Sequence, residues 1–339
     1  MNTKIINFLN GLPKVELHIH LEGSIPLETL WELIKKYHGD KELGSIDNLR
    51  GRFKYKDFHH FLDTWIWKDQ FIREYDDITF FADAVANDLK SQNIQYAELH
   101  FTPAGFMAKD LKTGLVVEAI KKGFKNHTND ITLNLIADLC RNCDLETVDQ
   151  VLDEIIELKD PTVLGIGLGG DEKNYPPHIF KNSFEKAKKH GLMITVHAGE
   201  AAGAESIWGA IRDLKAERIG HGTRAYEDDN LLEYLRETQI PVEMCPLSNL
   251  CTRVVTNIKE HPIKKYFDLG LNISVNTDDP KMFNNNLAEE YLVLVTELGF
   301  NLSDIKQIIS NAIRASWCSD MTKTELMNEL DRYYNLAVN

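Results

Sequence analysis

The first clear pattern along the chain is an alternation. Val15, Leu17, Ile19 and Leu21 are apolar, and Glu16, His18, His20 and Glu22 between them are polar. Successive side chains of an extended strand point to opposite faces, so this stretch predicts a strand with one apolar and one polar side. The polar side could face water, as in a half-buried sheet. It could equally face inward and hold a metal through His18 and His20, because neutral imidazole is a common metal ligand. Taken alone, these residues leave both readings open.

Short apolar runs then alternate with segments whose apolar residues recur every three or four positions. Strands are predicted over residues 94–101, 131–139, 163–168, 193–198, 218–222, 241–245 and 272–277. Helices are predicted over 2–10, 24–37 (Ser24 as N-cap, Pro26 just inside), 78–92, 114–126, 146–158, 179–190, 205–214, 229–237 and 263–267, with helical segments from 287 to 336. Eight strands, each followed by helical sequence, argue for a parallel sheet. In a chain of 339 residues they predict a (β/α)8 TIM barrel with a helical insertion after the first strand and extra C-terminal helices. A doubly wound open sheet would show a glycine-rich phosphate turn after its first strand. Leu21-Glu22-Gly23-Ser24 holds no such motif. No repeat, low-complexity tract or Gly/Ser linker breaks the pattern, so residues 1–339 are expected to form one domain.

The insertion is unusually aromatic between Phe53 and Phe81. Phe58, Phe61, Leu62 and Trp65 stand at helical spacing. Such a stripe can pack on a core, or it can form a lid over an aromatic ligand, since long excursions from a scaffold often carry function.

Composition narrows the partners. The chain is 43% hydrophobic and 27% charged, as expected of a soluble globular protein. Its net charge is −14, from 38 Lys+Arg against 52 Asp+Glu. Runs such as Lys186-Ala187-Lys188-Lys189 are short, so neither nucleic acid nor an anionic membrane is an expected partner. No apolar run is long enough to span a membrane, and the N-terminus lacks a charged-then-apolar signal layout. Five cysteines are present, with Cys140 and Cys143 forming a lone C-x-x-C; a cytoplasmic location with reduced thiols is expected.

The candidate chemistry sits at strand ends. His18 and His20 end the first strand, His197 and Glu200 the fifth, His221 the sixth, and Asp278 and Asp279 the eighth. All strand ends of one sense meet on one barrel face, where active sites are built. Each residue has a plainer reading: a hydrogen-bonded core histidine for His197, a turn for His221, a helix cap for Asp278-Asp279. Their coincidence on one face favours a shared site. On the eighth strand, Asn272, Ser274, Asn276 and Asp278 share one side, a polar row like that of the first strand. Three imidazoles and a carboxylate suit zinc with one position left for water. Zinc lowers the pKa of that water to about 7. His221 would hold or deprotonate the water, and Glu200 would act as a proton donor, kept protonated by an apolar wall.

Five motifs carry a resemblance: Val15-Glu16-Leu17-His18-Ile19-His20-Leu21-Glu22-Gly23, Val196-His197-Ala198-Gly199-Glu200, Ile219-Gly220-His221-Gly222, Cys245-Pro246-Leu247-Ser248-Asn249 and Asn276-Thr277-Asp278-Asp279-Pro280. In order and spacing they resemble the adenosine deaminase family of metal-dependent amidohydrolases. The resemblance implies one Zn2+ per chain on His18, His20, His197 and Asp278. It implies Glu200, His221 and Asp278 as catalytic groups, with Glu200 protonating purine N1 and His221 steering hydroxide to C6. Substrate contacts are implied for His20, Glu22 (ribose), Gly170 (N3 through its backbone) and Asp279 (N7). Phe61, Leu62 and Trp65 match the apolar gate loosely. The implied reaction is hydrolytic deamination of adenosine and 2′-deoxyadenosine, a small-molecule purine nucleoside being the partner.

Three positions depart from the family's usual pattern. Gly167 stands where Asp is usual, His100 where Arg is usual, and Glu22 where Asp is commoner. These departures leave the metal and the deamination chemistry intact and affect the outer half of the substrate. Adenine deaminases share the H-x-H-x-E-G motif and the glycine, but tend to carry Ser-Ser-Glu where this chain has Gly170-Asp171-Glu172. Adenine or another adenine-bearing compound such as aminodeoxyfutalosine is the alternative substrate.

Overall fold

A computed structural model describes residues 3–39 and 43–338. Its strands are β1 (Lys14–His20), β2 (Ile94–Phe101), β3 (Thr132–Cys140), β4 (Val163–Gly169), β5 (Met193–Ala198), β6 (Arg218–His221), β7 (Val242–Met244) and β8 (Ile273–Val275). Each pairs in parallel with the next. The ring closes through a parallel bridge between Ile19 and Asp278. There His20 N donates to Asp278 O at 2.8 Å and Asp278 N to His18 O at 3.1 Å. Asn276 reinforces the seam, its Oδ1 accepting from the N–H groups of Leu17 (2.9 Å) and His18 (3.2 Å). The fold is the predicted (β/α)8 barrel, with a short helix, Pro280–Phe283, and three longer ones, Leu287–Glu297, Leu302–Ala315 and Asp320–Val338, after the last strand.

Some predicted elements differ. β7 and β8 are shorter than expected, because Pro246 opens a helix (Pro246–Cys251) and the backbone turns at Asp278. Ser24 does not cap a helix. It ends a 3-10 turn, Glu22–Ser24, and its hydroxyl donates to His20 O at 2.6 Å; the helix Leu27–Lys36 starts after Pro26. Short helices Ile46–Arg52 and Pro103–Met107 carry too few periodic positions to be read from sequence. The aromatic insertion forms the helix Phe58–Asp69 and the start of Tyr75–Ser91. Asp77 fastens the latter: its carboxylate accepts from Lys36 Nζ and Tyr37 OH at 2.5 Å each, and from the N–H groups of Arg73 (2.9 Å) and Glu74 (3.0 Å). No described helix is long and apolar enough to cross a membrane.

The alternation in β1 is not carried through. Glu16 lies opposite Ala97 and Ile19 opposite Leu99, so β1 places one extra residue against β2 at this point. Such a bulge re-aims side chains. Glu16 therefore does not join His18 and His20. Its carboxylate takes the N–H of Thr277 (2.7 Å) and that residue's hydroxyl. It also feels Asp88, Glu290 and Tyr291, which lie on helices outside the barrel.

The barrel interior is polar. Arg218 Nη2 stands 2.6 Å from Glu98 Oε2 and its Nε 2.6 Å from Glu243 Oε1, all three side chains being buried. The guanidinium lies 3.6 Å from the Trp317 ring centre, and Trp317 N donates to Glu98 at 2.7 Å. Buried charges persist only when paired in this way. This network forms the floor on which the strand-end histidines rest.

Candidate metal centre and ligand cavity

His18, His20, His197 and Asp278 each place one ligand atom within 4.8 Å of the others. They come from the C-terminal ends of β1, β5 and β8. Asp278 reaches the centre through a left-handed backbone, φ 65°, and His221 beside it has φ 60°. Left-handed residues other than glycine cost about 1–2 kcal/mol each, and such strain collects at functional sites.

The inward-facing atoms are poorly satisfied by one another. His18 Nε2 is buried without a hydrogen-bond partner among the described residues. His20 Nε2 and His197 Nε2 face each other at 3.1 Å, and Asp278 Oδ1 is 3.2 Å from His20 Nε2. Orphaned, converging nitrogens beside a carboxylate are what a divalent cation would satisfy, and the donor set fits zinc. The outward atoms of His18, His20 and Asp278 are engaged, whereas His197 Nδ1 is buried without a hydrogen-bond partner among the described residues. Glu243 Oε2 is 3.0 Å from His18 Nδ1, Asp138 Oδ2 is 3.4 Å from His20 Nδ1, and Ser248 Oγ donates to Asp278 Oδ2 at 2.7 Å. Such partners set the tautomer and direction of metal-ligating groups.

Electrostatics agree with a cation-seeking centre. Burial opposes charge on His18, yet Asp278 and Glu243 outweigh it and push the imidazole up to about 10. His20 is pushed up to about 9 against burial, chiefly by Asp278 and Asp279. His197 is held well below its usual value by burial and by the neighbouring imidazoles. Burial pulls His221 down to about 3, and the charges on His18 and His20 add to that pull. Burial, then the Asp278 charge, lifts Glu200 well above the ordinary carboxylate range, and the same two causes lift Asp279.

His221 Nε2 stands 3.6 Å from Glu200 Oε2 and 3.9 Å from Asp278 Oδ2. Its other nitrogen, Nδ1, is 3.2 Å from Asn249 Nδ2, while Asn249 Oδ1 accepts from the Thr223 hydroxyl at 2.9 Å. The amide thus presents its NH2 to Nδ1, which leaves the imidazole proton on Nε2, facing the two carboxyls.

A cavity of about 230 Å³ opens onto these groups. His20, His197, Glu200, His221, Asp278 and Asp279 form its polar end, and Gly170 lies on its wall. Phe61, Leu62 and Trp65 line the other side, joined by Phe58 and Ile66. These aromatics pack on Met282 and Phe283 in a cluster separate from the main core. Trp65 stands edge-on to His20, 5.7 Å between centres. Gly170 has φ 107°, and a Cβ there would meet Asn142 Oδ1 at 2.4 Å, so only glycine serves. Glu22 lies outside the cavity lining: Oε1 accepts the Thr102 N–H at 2.9 Å, and Oε2 is buried without a hydrogen-bond partner among the described residues.

Several contributors were not singled out from sequence. Asp138 and Glu243 each interrupt an apolar strand, which was a usable signal. Ser248 and Asn249 lay inside a quoted motif without assigned roles. Asp138 also accounts for the departures at Gly167 and His100: its Oδ1 is 2.9 Å from His100 Nδ1, in the space where a Cβ on Gly167 would meet it at 1.8 Å.

Comparison with known proteins follows the same lines. The adenosine deaminase family model matches residues 13–333. An adenosine deaminase of Clostridium acetobutylicum is 35% identical, over 98% of this chain and 100% of its own length. An aminodeoxyfutalosine deaminase of Streptomyces coelicolor is 34% identical, over 96% of this chain and 85% of its own. Among solved structures, a zinc-bound amidohydrolase of Burkhoderia ambifaria superposes with a TM-score of 0.91 at 26% identity, covering 100% of this chain and 96% of that one. The chain belongs to the adenosine deaminase family.

Proposed function

We propose that the chain is a zinc-dependent cytoplasmic hydrolase that deaminates adenosine and 2′-deoxyadenosine to inosine and 2′-deoxyinosine, releasing ammonia. One observation carries the reading: a buried Glu200, its carboxyl lifted well above the ordinary range by burial and the Asp278 charge, stands beside His221 and Asp278 at the end of a cavity with an aromatic wall.

His18, His20, His197 and Asp278 would hold the zinc, whose chemistry is to acidify water so that a nucleophile exists near neutral pH. The purine lies against Phe61, Leu62 and Trp65, which exclude solvent from the reacting carbon. Gly170 N–H meets N3 and Asp279, its carboxyl pushed well above the ordinary range by burial, meets N7. Glu200 donates its proton to N1, drawing electrons from C6. His221 orients the attacking water through the Nε2–H that faces the centre, and of the water's two protons one restores Glu200 while the other leaves on the amino group. The amino group leaves C6 as ammonia after the tetrahedral adduct collapses. Glu22 sits near the sugar end, behind Thr102.

A second reading keeps the chemistry and changes the handle: adenine, or another adenine-bearing compound such as aminodeoxyfutalosine. The Asp138–His100 pair beside Gly167 supports it: Gly167 and His100 depart from the usual adenosine deaminase pattern, and Asp138, which fills the space beside them, lines the cavity. Steady-state rates on adenosine, 2′-deoxyadenosine, adenine and aminodeoxyfutalosine test both. Adenosine is expected to be used best. A kcat/KM on adenosine about a hundredfold below that on another compound, ~2.7 kcal/mol of transition-state binding, overturns the first reading.

A further inference from the structure

Glu200 sits on irregular chain. Residues 199–203 belong neither to β5 nor to the helix Ala204–Arg212 that follows. A strand end of this kind is free to move unless its backbone groups find partners. Here four successive N–H groups go to one side chain. Glu172 Oε1 accepts from Gly199 at 2.5 Å, and Oε2 accepts from Glu200 at 3.1 Å, Ala201 at 2.7 Å and Ala202 at 2.9 Å.

Glu172 lies on the loop after β4 and is 3% exposed. Its carboxylate has room for about four donors, and all four arrive from this turn. Gly199, at φ 74°, takes the left-handed conformation that lets the amides converge. Converging backbone amides form an anion cradle that often binds a ligand; here the protein fills it with its own carboxylate. A second charge holds the same strand end, Arg141 Nη2 donating to His197 O at 2.7 Å. The chain between a metal-centre histidine and Glu200 is thus clamped from the neighbouring β3 and β4 loops.

We propose that Glu172 is a positioning residue for proton donation: by gathering the N–H groups of residues 199–202 it fixes where the Glu200 carboxyl stands against the substrate. The proposal rests on the reading of Glu200 as the proton donor. Glu172 touches neither the cavity nor any reacting atom. It places Glu200 through the backbone, while its charge also helps to lift the Glu200 carboxyl; sub-ångström placement of a catalytic group matters steeply.

The test is a double-mutant cycle with zinc-loaded enzyme on adenosine, comparing the parent, Glu172→Gln, Glu200→Gln and the pair. Gln keeps one acceptor oxygen and turns an NH2 group toward the remaining N–H groups. Glu172→Gln is expected to lower kcat by about a hundredfold with KM near the parent's. In the Glu200→Gln background the same change is expected to cost almost nothing, because the group it positions is gone. Near-parent kcat in Glu172→Gln, or penalties that multiply in the pair, overturns the proposal. Near-parent activity in Glu200→Gln alone instead overturns the reading of Glu200. If Glu172→Gln fails to fold, hydrogen exchange on the unaltered protein decides. Slow exchange at 199–202, the half-buried Ala201 and Ala202 included, is expected relative to other half-buried turns, and free-loop rates there overturn the clamp.

Discussion

One carboxylate joins the candidate metal centre to the barrel floor. Glu243 Oε2 is 3.0 Å from His18 Nδ1, and Oε1 of the same group is 2.6 Å from Arg218 Nε. Arg218 and His18 hold the Glu243 carboxyl down at about 2 despite its burial. It stays charged at any working pH and acts as a fixed acceptor that turns His18 Nε2 inward. Glu243→Gln keeps the shape and removes the charge. It is expected to weaken zinc binding by about ten- to a hundredfold. Competition against a chelator of graded strength measures this, and an unchanged affinity would show that His18 needs no such support.

His18→Ala removes one of the four converging donors. The variant is expected to purify without stoichiometric zinc even after reloading. Elemental analysis checks it; a full zinc equivalent would contradict the ligand assignment.

Glu200→Gln leaves the four metal-facing side chains untouched and cannot donate the same proton. Zinc content is expected to stay at the parent level while turnover of the best substrate falls by about a hundred- to ten-thousandfold. Turnover near the parent's would sink the proposed mechanism.

Gly167→Ala brings a methyl group into the Asp138 carboxylate. The added carbon would stand 1.8 Å from Oδ1 and 3.2 Å from His100 Nδ1, so Asp138 must swing off His100. A loss of about 1–3 kcal/mol in urea unfolding is expected from such overpacking. Part of it should return when Asp138→Ala is added, because the two side chains then no longer compete. Additive losses would mean that the strain lies elsewhere.

Asp77 provides a pH-dependent check on the insertion. Burial works against its charge, but Lys36, Tyr37 and the N–H groups of Arg73 and Glu74 outweigh it and hold the carboxyl below its ordinary 3.8. A depressed carboxylate contributes its full stability above the unfolded value of 3.8 and loses it as pH falls through the folded value. Asp77→Asn is therefore expected to be less stable by about 1.5–3 kcal/mol at neutral pH. The gap to the parent should narrow once the pH drops below 3.8. A constant gap down to about pH 2.5 would rule out the charge as the cause.

What could be read along the chain was whatever depends on near neighbours. Alternation and helical spacing located all eight strands and the long helices, because a residue's side of a strand or helix follows from the residues beside it. The strand order then brought His18, His20, His197, His221 and Asp278 to one face. Lone polar residues in apolar strands, such as Asp138 and Glu243, were visible but had no assignable partner.

The tertiary structure decided what depends on residues far apart in sequence. Glu16 leaves the side of His18 and His20 because β1 gains a residue against β2, and only pairing reveals a bulge. Glu22 turns to Thr102, Asp138 fills the space left at Gly167, and Glu172 gathers the backbone of residues 199–202. Each of these contacts crosses from one loop or strand to another. The residue types gathered at the candidate metal centre could be named from the sequence, since chemistry restricts which side chains can serve. Their aim and their supports come from packing, because a carboxylate or imidazole takes its direction from whichever distant group the fold sets against it.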